Sequence, residues 1–283
     1  MARGQDDLRA ANAVLTSHVL DMARGRPGSG VEVALYRLTD RGPEELRRMT
    51  TNADGRCDRP LLTTEDAEAG SYLLAFHAGA YLGAQVSGGG SQSFYDTIPV
   101  AFDLADPAGH SHVPLILAPW GYSTYRGAPP ERAPRDADAP RPPAAETAPS
   151  LEATAPPPGA GNSGQAGLTT HVIDIAQGRG AAGLTVDLYG GGLGVDDWDL
   201  LSQHRTTPEG RTAAWLVEDG KLTRGSYELR FHLGDYFARS EILGSSAAFF
   251  RTARVRFLVS DPDTHYHVPL LAAPWGYTTY RGS

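Results

Sequence analysis

A single cysteine, Cys57, stands in the 283 residues. It has no partner for an intramolecular disulfide, and a chain of this length without disulfides fits a reducing compartment. There is no C-x-x-C and no cysteine cluster, which removes the common structural zinc sites. No apolar run approaches the roughly 18 residues that a membrane span needs. The opening MARGQDDLRAANAV lacks the apolar core of a signal peptide, so a cytoplasmic location is the expectation. Basic residues are in deficit: 25 Lys and Arg against 33 Asp and Glu leave a net charge of −8. Nucleic-acid binders need a positive surface to displace counterions from phosphates, and this balance argues against that class. What is present is a hydrophobic fraction of 41%, enough for real cores. At roughly 100–200 residues per domain, the length suggests about two domains.

The chain repeats itself. LTSHVLDMARGRPGSGVEVALY at 15–36 returns as LTTHVIDIAQGRGAAGLTVDLY at 168–189. HSHVPLILAPWGYSTYRGA at 110–128 returns as HYHVPLLAAPWGYTTYRGS at 265–283, with 14 of 19 positions identical. Solenoid units are shorter, about 20–50 residues, and need at least three copies, so these are two domains, 14–128 and 167–283. Between them, over 129–166, lie ten of the chain's 21 prolines. Ala, Gly, Asp and Arg fill most of the rest, so this segment cannot bury a core and reads as a semi-extended, flexible linker.

Each copy reads as β. VEVALYRL at 31–38 and LTVDLY at 184–189 alternate and are rich in β-branched residues. GSYLLAFHA at 70–78, TIPVAFDLA at 97–105 and their counterparts at 225–233 and 252–260 behave alike. Turn chemistry separates them, as at Asn52-Ala53-Asp54-Gly55, Asp106-Pro107 and Asp261-Pro262. Helical periodicity is scarce, with a short helix expected near 79–85 and 234–240. The pattern predicts an all-β, two-sheet sandwich in each copy.

Four polar residue types recur at matched positions: an opening-strand histidine (His18, His171), an arginine after a D-G or E-G turn (Arg56, Arg211), the second histidine of an H-x-H pair (His112, His267) and a tyrosine in the closing Y-R-G (Tyr125, Tyr280). Each also has a structural reading. A strand histidine is more often a satisfied packing residue than a catalyst, a turn arginine is usually solvated, and a strand tyrosine usually packs with its hydroxyl wet. Residues two apart in a strand face one side. His110 with His112, or His265 with His267, could therefore join a third ligand such as His18 or His171 in a hydrolytic zinc site, a minor alternative.

The tail H-x-H-V-P-L-L-x-x-P-W-G-Y-[ST]-T-Y-R-G-S resembles the C-terminal signature of the 5-hydroxyisourate hydrolases, the enzymatic relatives of transthyretin. The openings L-[ST]-[ST]-H-V-[LI]-D and the stretch T-N-A-D-G-R at 51–56 are similar to the family's other signatures. The resemblance covers nearly everything outside the linker. It implies eight-stranded prealbumin-like sandwiches, a tetramer of domains with active sites at an interface, and hydrolytic opening of 5-hydroxyisourate to 2-oxo-4-hydroxy-4-carboxy-5-ureidoimidazoline. No metal or organic cofactor is implied. The family's functional positions fall on His18, Arg56, His112 and Tyr125, and on His171, Arg211, His267 and Tyr280, all as catalytic residues. The first histidine, the arginine and the tyrosine of each copy are implied to bind substrate as well.

That set is chemically coherent. A histidine near neutral pKa can deprotonate water, typically for a 10²–10⁴-fold gain. Arginine offers planar paired donors to an anionic ureide or an oxyanion. Tyrosine can donate to a ring carbonyl or pack on the ring. Which histidine is the base stays open, and Arg126 and Arg281 are given at most a structural ion pair. Copy 2 ends at Ser283, an auxiliary candidate, whereas copy 1 has Ala128 there. Two chains would supply four domains, so a homodimer is expected. The competing readings are a non-catalytic carrier of planar small molecules, which should lack the histidines and arginine, and an adhesive scaffold, which should be exported.

Overall fold

The computed structural model describes residues 12–83, 93–127, 166–191, 197–218, 220–239 and 248–282. Apart from Ala166, the linker expected over 129–166 lies outside the described residues, as do Ala128 and Ser283.

The first repeat runs β1 (Ala13–Thr16), β2 (Val19–Asp21), β3 (Arg26–Pro27), β4 (Glu32–Thr39), β5 (Gly42–Thr50), β6 (Leu62–Thr63), β7 (Gly70–His77), α1 (Gly79–Gly83), β8 (Thr97–Leu104), β9 (Ser111–His112), β10 (Leu115–Ala118) and β11 (Gly121–Tyr125). The second runs β12 (Gly167–Thr169), β13 (Val172–Asp174), β14 (Arg179–Gly180), β15 (Thr185–Gly190), β16 (Asp199–Arg205), β17 (Gly225–Phe231), α2 (Leu233–Phe237), β18 (Ala253–Val259), β19 (His265–His267), β20 (Leu270–Ala273) and β21 (Gly276–Tyr280). The three long expected strands of each repeat appear as β4, β7, β8 and β15, β17, β18, and both short helices appear, one turn long. Among the described residues no helix is long and apolar enough to cross a membrane.

Each repeat has an antiparallel four-stranded sheet, ordered β5-β4-β7-β8 or β16-β15-β17-β18. Alternation decides its buried face. Val33 and Leu35, with Tyr72, Leu74 and Phe76 and then Ile98, Val100 and Phe102, point into one core, and Val186, Leu188, Leu229, Phe231, Val255 and Phe257 do the same in the second repeat. The edge strands β5 and β16 contain no buried residue and are rich in charged and polar side chains, which discourages pairing with another chain.

The opposing layer is not confined to one repeat. It is a continuous eight-stranded sheet, β14-β13-β20-β21-β11-β10-β2-β3. The seam is the antiparallel pair β11–β21, in register from Gly121↔Tyr280 through Ser123↔Thr278 to Tyr125↔Gly276. Ser123 and Thr278 share a hydroxyl–hydroxyl bond of 2.8 Å at its midpoint. The contact is isologous, as expected for a two-fold pair. Asp103 N donates to Phe249 O and Leu258 N to Phe94 O, while Arg126 N donates to Trp275 O and Arg281 N to Trp120 O. The guanidinium of Arg126 lies 5.1 Å from the Phe249 ring and 5.4 Å from Trp275, and that of Arg281 5.6 Å from Phe94 and 5.4 Å from Trp120. The arginines of the closing Y-R-G therefore clamp the other repeat through its aromatic rings.

Candidate active site

The glycine turn fixes the first two groups. Gly55 and Gly210 take φ of +72° and +80°, a region costly for residues with a Cβ. A Cβ at either would drive into the carbonyl oxygen of Val19 or Val172. Asn52 Oδ1 accepts from Asp54 N at 3.0 Å and Arg56 N at 3.1 Å, closing the turn. This close approach makes Arg56 an antiparallel bridge partner of His18, and Arg211 one of His171.

The second histidine arrives by parallel pairing. β1 and β9 place Thr16 beside His112, and β12 and β19 place Thr169 beside His267. His112 also bridges to Gly127, and His267 to Gly282. Leu115 N donates to His18 O, tying the start of β10 to the first histidine. Each repeat thus brings two imidazoles and a guanidinium to one end of the fused sheet.

The tyrosine is placed less tightly. Leu115 pairs with both Val19 and Thr124, so Tyr125 and His18 flank Pro114 from neighbouring strands. The second repeat repeats this with Leu270, Val172 and Thr279, so Tyr280 and His171 flank Pro269. Both tyrosines remain exposed, at 42% and 44%, and neither hydrogen-bonds a site histidine. Each stands at the seam, Tyr125 opposite Gly276 and Tyr280 opposite Gly121, next to the other repeat's Trp275 or Trp120. Because the seam is antiparallel, the two sites lie at its opposite ends.

The electrostatics favour neutral imidazoles. Burial, aided by the positive charge of Arg56 and by His110 and His18, pushes His112 down to about 4. Burial with Arg211, His265 and His171 does the same to His267. His18 is lowered by burial and Arg56, against a weaker upward pull from Asp54. His171 is lowered by burial, against its bond to the Glu209 carbonyl. These are the marks of a functional cluster: desolvation plus a named charge partner. The array offers a proton acceptor, ring N–H donors and a permanent cation, which is what water attack on an amide-like carbonyl requires.

One participant was not singled out from the sequence. Thr16 Oγ1 lies 3.0 Å from His110 Nε2 and 2.9 Å from His112 Nδ1, and Thr169 Oγ1 lies 2.8 Å from His265 Nε2 and 3.0 Å from His267 Nδ1. The signal was available: in L-[ST]-[ST]-H the residue two before the histidine faces the same side of a strand. The H-x-H nitrogens are thus engaged by a hydroxyl, and among the described residues no three His, Cys, Asp or Glu side chains are grouped to hold a metal ion. The sites differ in one wall. Trp215 packs at a tilt against His265, ring centroids 5.2 Å apart, where the first repeat has Pro60.

A family model described as HIUase/Transthyretin family matches residues 15–127 and 168–282. A 5-hydroxyisourate hydrolase of Mesorhizobium japonicum is 47% identical over 119 residues, which are 42% of this chain and 95% of that protein. One from Deinococcus radiodurans is 45% identical over 121 residues, 43% of this chain and 99% of that protein. Each relative corresponds to a single repeat. The solved structure of a Klebsiella pneumoniae 5-hydroxyisourate hydrolase is 34% identical, spans 42% of this chain and 99% of its own, and superposes with a TM-score of 0.34.

Proposed function

The chain belongs to the HIUase/Transthyretin family as a tandem duplication of its domain, and from that footing we propose that each repeat hydrolyses 5-hydroxyisourate. The observation that carries the reading is the His–Arg–His cluster, built twice with the same pairings: His18–Arg56 beside His112 and His171–Arg211 beside His267. A carrier of planar ligands has no need of it. Relatives named 5-hydroxyisourate hydrolase at 47% and 45% identity support the same substrate.

In this reading water adds to the cyclic amide-like carbonyl of the substrate and gives its proton to an imidazole. The oxygen that gains charge is held by ring N–H and guanidinium donors. Collapse breaks the ring C–N bond, and the nitrogen takes the proton back, giving 2-oxo-4-hydroxy-4-carboxy-5-ureidoimidazoline. Tyr125 and Tyr280 bound the ring from the seam. No cofactor is needed for these steps. The single cysteine suits a reducing compartment, and we place the reaction in the cytoplasm.

The outer face of the fused sheet carries Tyr125 and Tyr280 with half-buried Ile116 and Leu271 and exposed Met22 and Ile175. Two chains docked through this face make a four-domain assembly with sites at the interface. Light scattering behind size exclusion then reads about twice 30.1 kDa, and a strict monomer counts against the homodimer. The activity is tested by following the ultraviolet decay of freshly generated 5-hydroxyisourate. Decay well above the spontaneous rate is the expected result. Saturable binding with decay at the background rate would make the protein a carrier.

A further inference from the structure

We infer that the Thr16 and Thr169 hydroxyls are positioning groups that fix complementary tautomers, so that His112 and His267 present Nε2–H to the substrate oxygen while His18 and His171 accept the proton of water at Nδ1. The assignment rests on the hydrolase reading above and decides a question the sequence leaves open, namely which histidine is the base.

The argument is an accounting of protons. A hydroxyl has one proton to donate and lone pairs to accept. Thr16 Oγ1 touches two ring nitrogens, His110 Nε2 at 3.0 Å and His112 Nδ1 at 2.9 Å, so it donates to at most one of them and accepts from at least one. His110 Nδ1 is buried without a partner. A buried orphan N–H is rarer than an under-used acceptor, which places the His110 proton on Nε2, donating to Thr16. Giving the threonine proton to His112 Nδ1 leaves His112's own proton on Nε2; the competing arrangement is Nδ1–H donation toward Thr16, whose carbonyl also approaches this ring. Thr169 repeats the two contacts at 2.8 and 3.0 Å.

The strand histidine obeys the opposite constraint. His171 Nε2 lies 2.8 Å from the Glu209 carbonyl. A carbonyl only accepts, so Nε2 bears the proton and the lone pair is on Nδ1. His18 Nε2 is buried without a hydrogen-bond partner, with the Asp54 carbonyl nearby raising its proton affinity, so its assignment is carried over from the matched His171. One histidine of each pair is therefore set as donor and the other as acceptor. The depressed pKa of His112 and His267, about 4, agrees with this division. An imidazole so hard to protonate is a weak base but remains a neutral donor, and the best base lies nearer the working pH.

The step balances. The water oxygen bonds to the carbonyl carbon and its proton moves to Nδ1 of His18 or His171. The carbonyl electron pair moves to oxygen, which accepts from Nε2–H of His112 or His267 and from Arg56 or Arg211. When that pair returns, the C–N bond breaks and the nitrogen takes the proton from Nδ1.

Long-range ¹H–¹⁵N spectra of the full chain labelled at histidine nitrogen test the tautomers directly. The expected result is an Nε2–H pattern for His112, His267 and His171, and Nδ1–H at His112 or His267 would overturn the assignment. In parallel, T16V and T169V together remove both hydroxyls at nearly constant shape, and T16S with T169S restores them. Loss of an oriented oxyanion donor costs 10²–10³-fold, and loss of its support less, about tenfold. That loss should fall on kcat and kcat/KM equally, as for an interaction made only in the transition state, with recovery in the serine form. A valine form within twofold of the parent, or a serine form no better than valine, sinks the role of the hydroxyl. Failure of the parent chain itself to speed substrate decay sinks the hydrolase reading instead, while the spectra still decide the tautomers.

Discussion

Replacing the two bridging arginines tests whether the chain holds two separate catalytic centres. Each guanidinium belongs to its own bridge, Arg56 to His18 and Arg211 to His171, and the bridges lie at opposite ends of the β11–β21 seam. Removing one donor from a developing oxyanion costs about 10²–10³ in kcat, or about 2.7–4 kcal/mol of barrier. R56A should therefore silence one site and leave the other, so turnover per chain falls to about half. R211A should do the same, and the double variant should fall by about 10²–10³. R56K with R211K keeps the charge but loses the planar fork, and should stay close to the alanine pair in rate. The assay is the initial rate of ultraviolet decay of fresh 5-hydroxyisourate with the spontaneous rate subtracted, and circular dichroism verifies the fold. Together with burial, Arg56 also helps hold His18 low, and Arg211 does the same to His171, so in the double variant the acid limb of the residual activity should move upward. A tenfold loss in either single variant would refute independent sites. A double variant retaining more than about a tenth of the activity would refute a guanidinium in the reaction.

Three further outcomes follow from particular contacts. G55A should lower the melting temperature by several degrees, because it adds a collision with the Val19 carbonyl to the 1–2 kcal/mol or so of a left-handed residue. G25A, at φ +62° in open space, should show only the smaller loss, and equal shifts would contradict the close approach. Urea stability should decline as pH falls from about 6.5 toward about 4, because in that window the unfolded chain protonates His112 and His267 while the folded chain does not. Partial exposure keeps the slope under the limit of about 1.4 kcal/mol per pH unit for each histidine, and a flat profile would refute their burial. Cutting at a protease site inserted within 129–166 should leave the two halves co-eluting, held by the seam, and separation into single repeats would refute the continuous sheet.

The long strands were legible because VEVALY and SYLLAFH are rich in apolar and β-branched residues, although burial in β4 and β7 runs unbroken over Val33–Tyr36 and Tyr72–Phe76 because both faces are covered. The polar edge strands β5 and β16 were not, since an edge facing water has no apolar period to show. The seam was also hidden. The sequence GYSTY has a buried face and a polar one, and that pattern is the same whether its hydrogen-bonding edge meets solvent or another copy. The His–Arg bridge was half legible. D-G-R announces a turn, but only the lack of room for a Cβ at Gly55 shows that it lies against the first histidine's strand. The threonine contact escaped because a hydroxyl in a strand carries no periodic signal, although its spacing of two from His18 was in plain view.

Duplication leaves both cores and both sites in place, yet the repeats have begun to diverge around them. Trp215 roofs the His265 ring and fills the space where a Cβ on Gly167 would sit, whereas the first repeat presents Pro60. The outer face of β17 and β18 buries Glu228 between Arg230 and Arg256, where the first repeat places Leu73, Ala75 and Ala101 in a small apolar cluster. Covalent linkage makes this drift tolerable. Two identical domains meeting at a two-fold seam must each keep a self-complementary surface, but fused copies meet at a high effective concentration and need only complement one another. The arginines crossing the seam keep their symmetry: Arg281 lies over Phe94 and Trp120 of the first repeat and Arg126 over the matching Phe249 and Trp275 of the second, while Arg281 also meets Tyr266 of its own repeat, where the first repeat has Ser111. The His–Arg–His cluster likewise shows no drift, with His18, Arg56 and His112 matched by His171, Arg211 and His267.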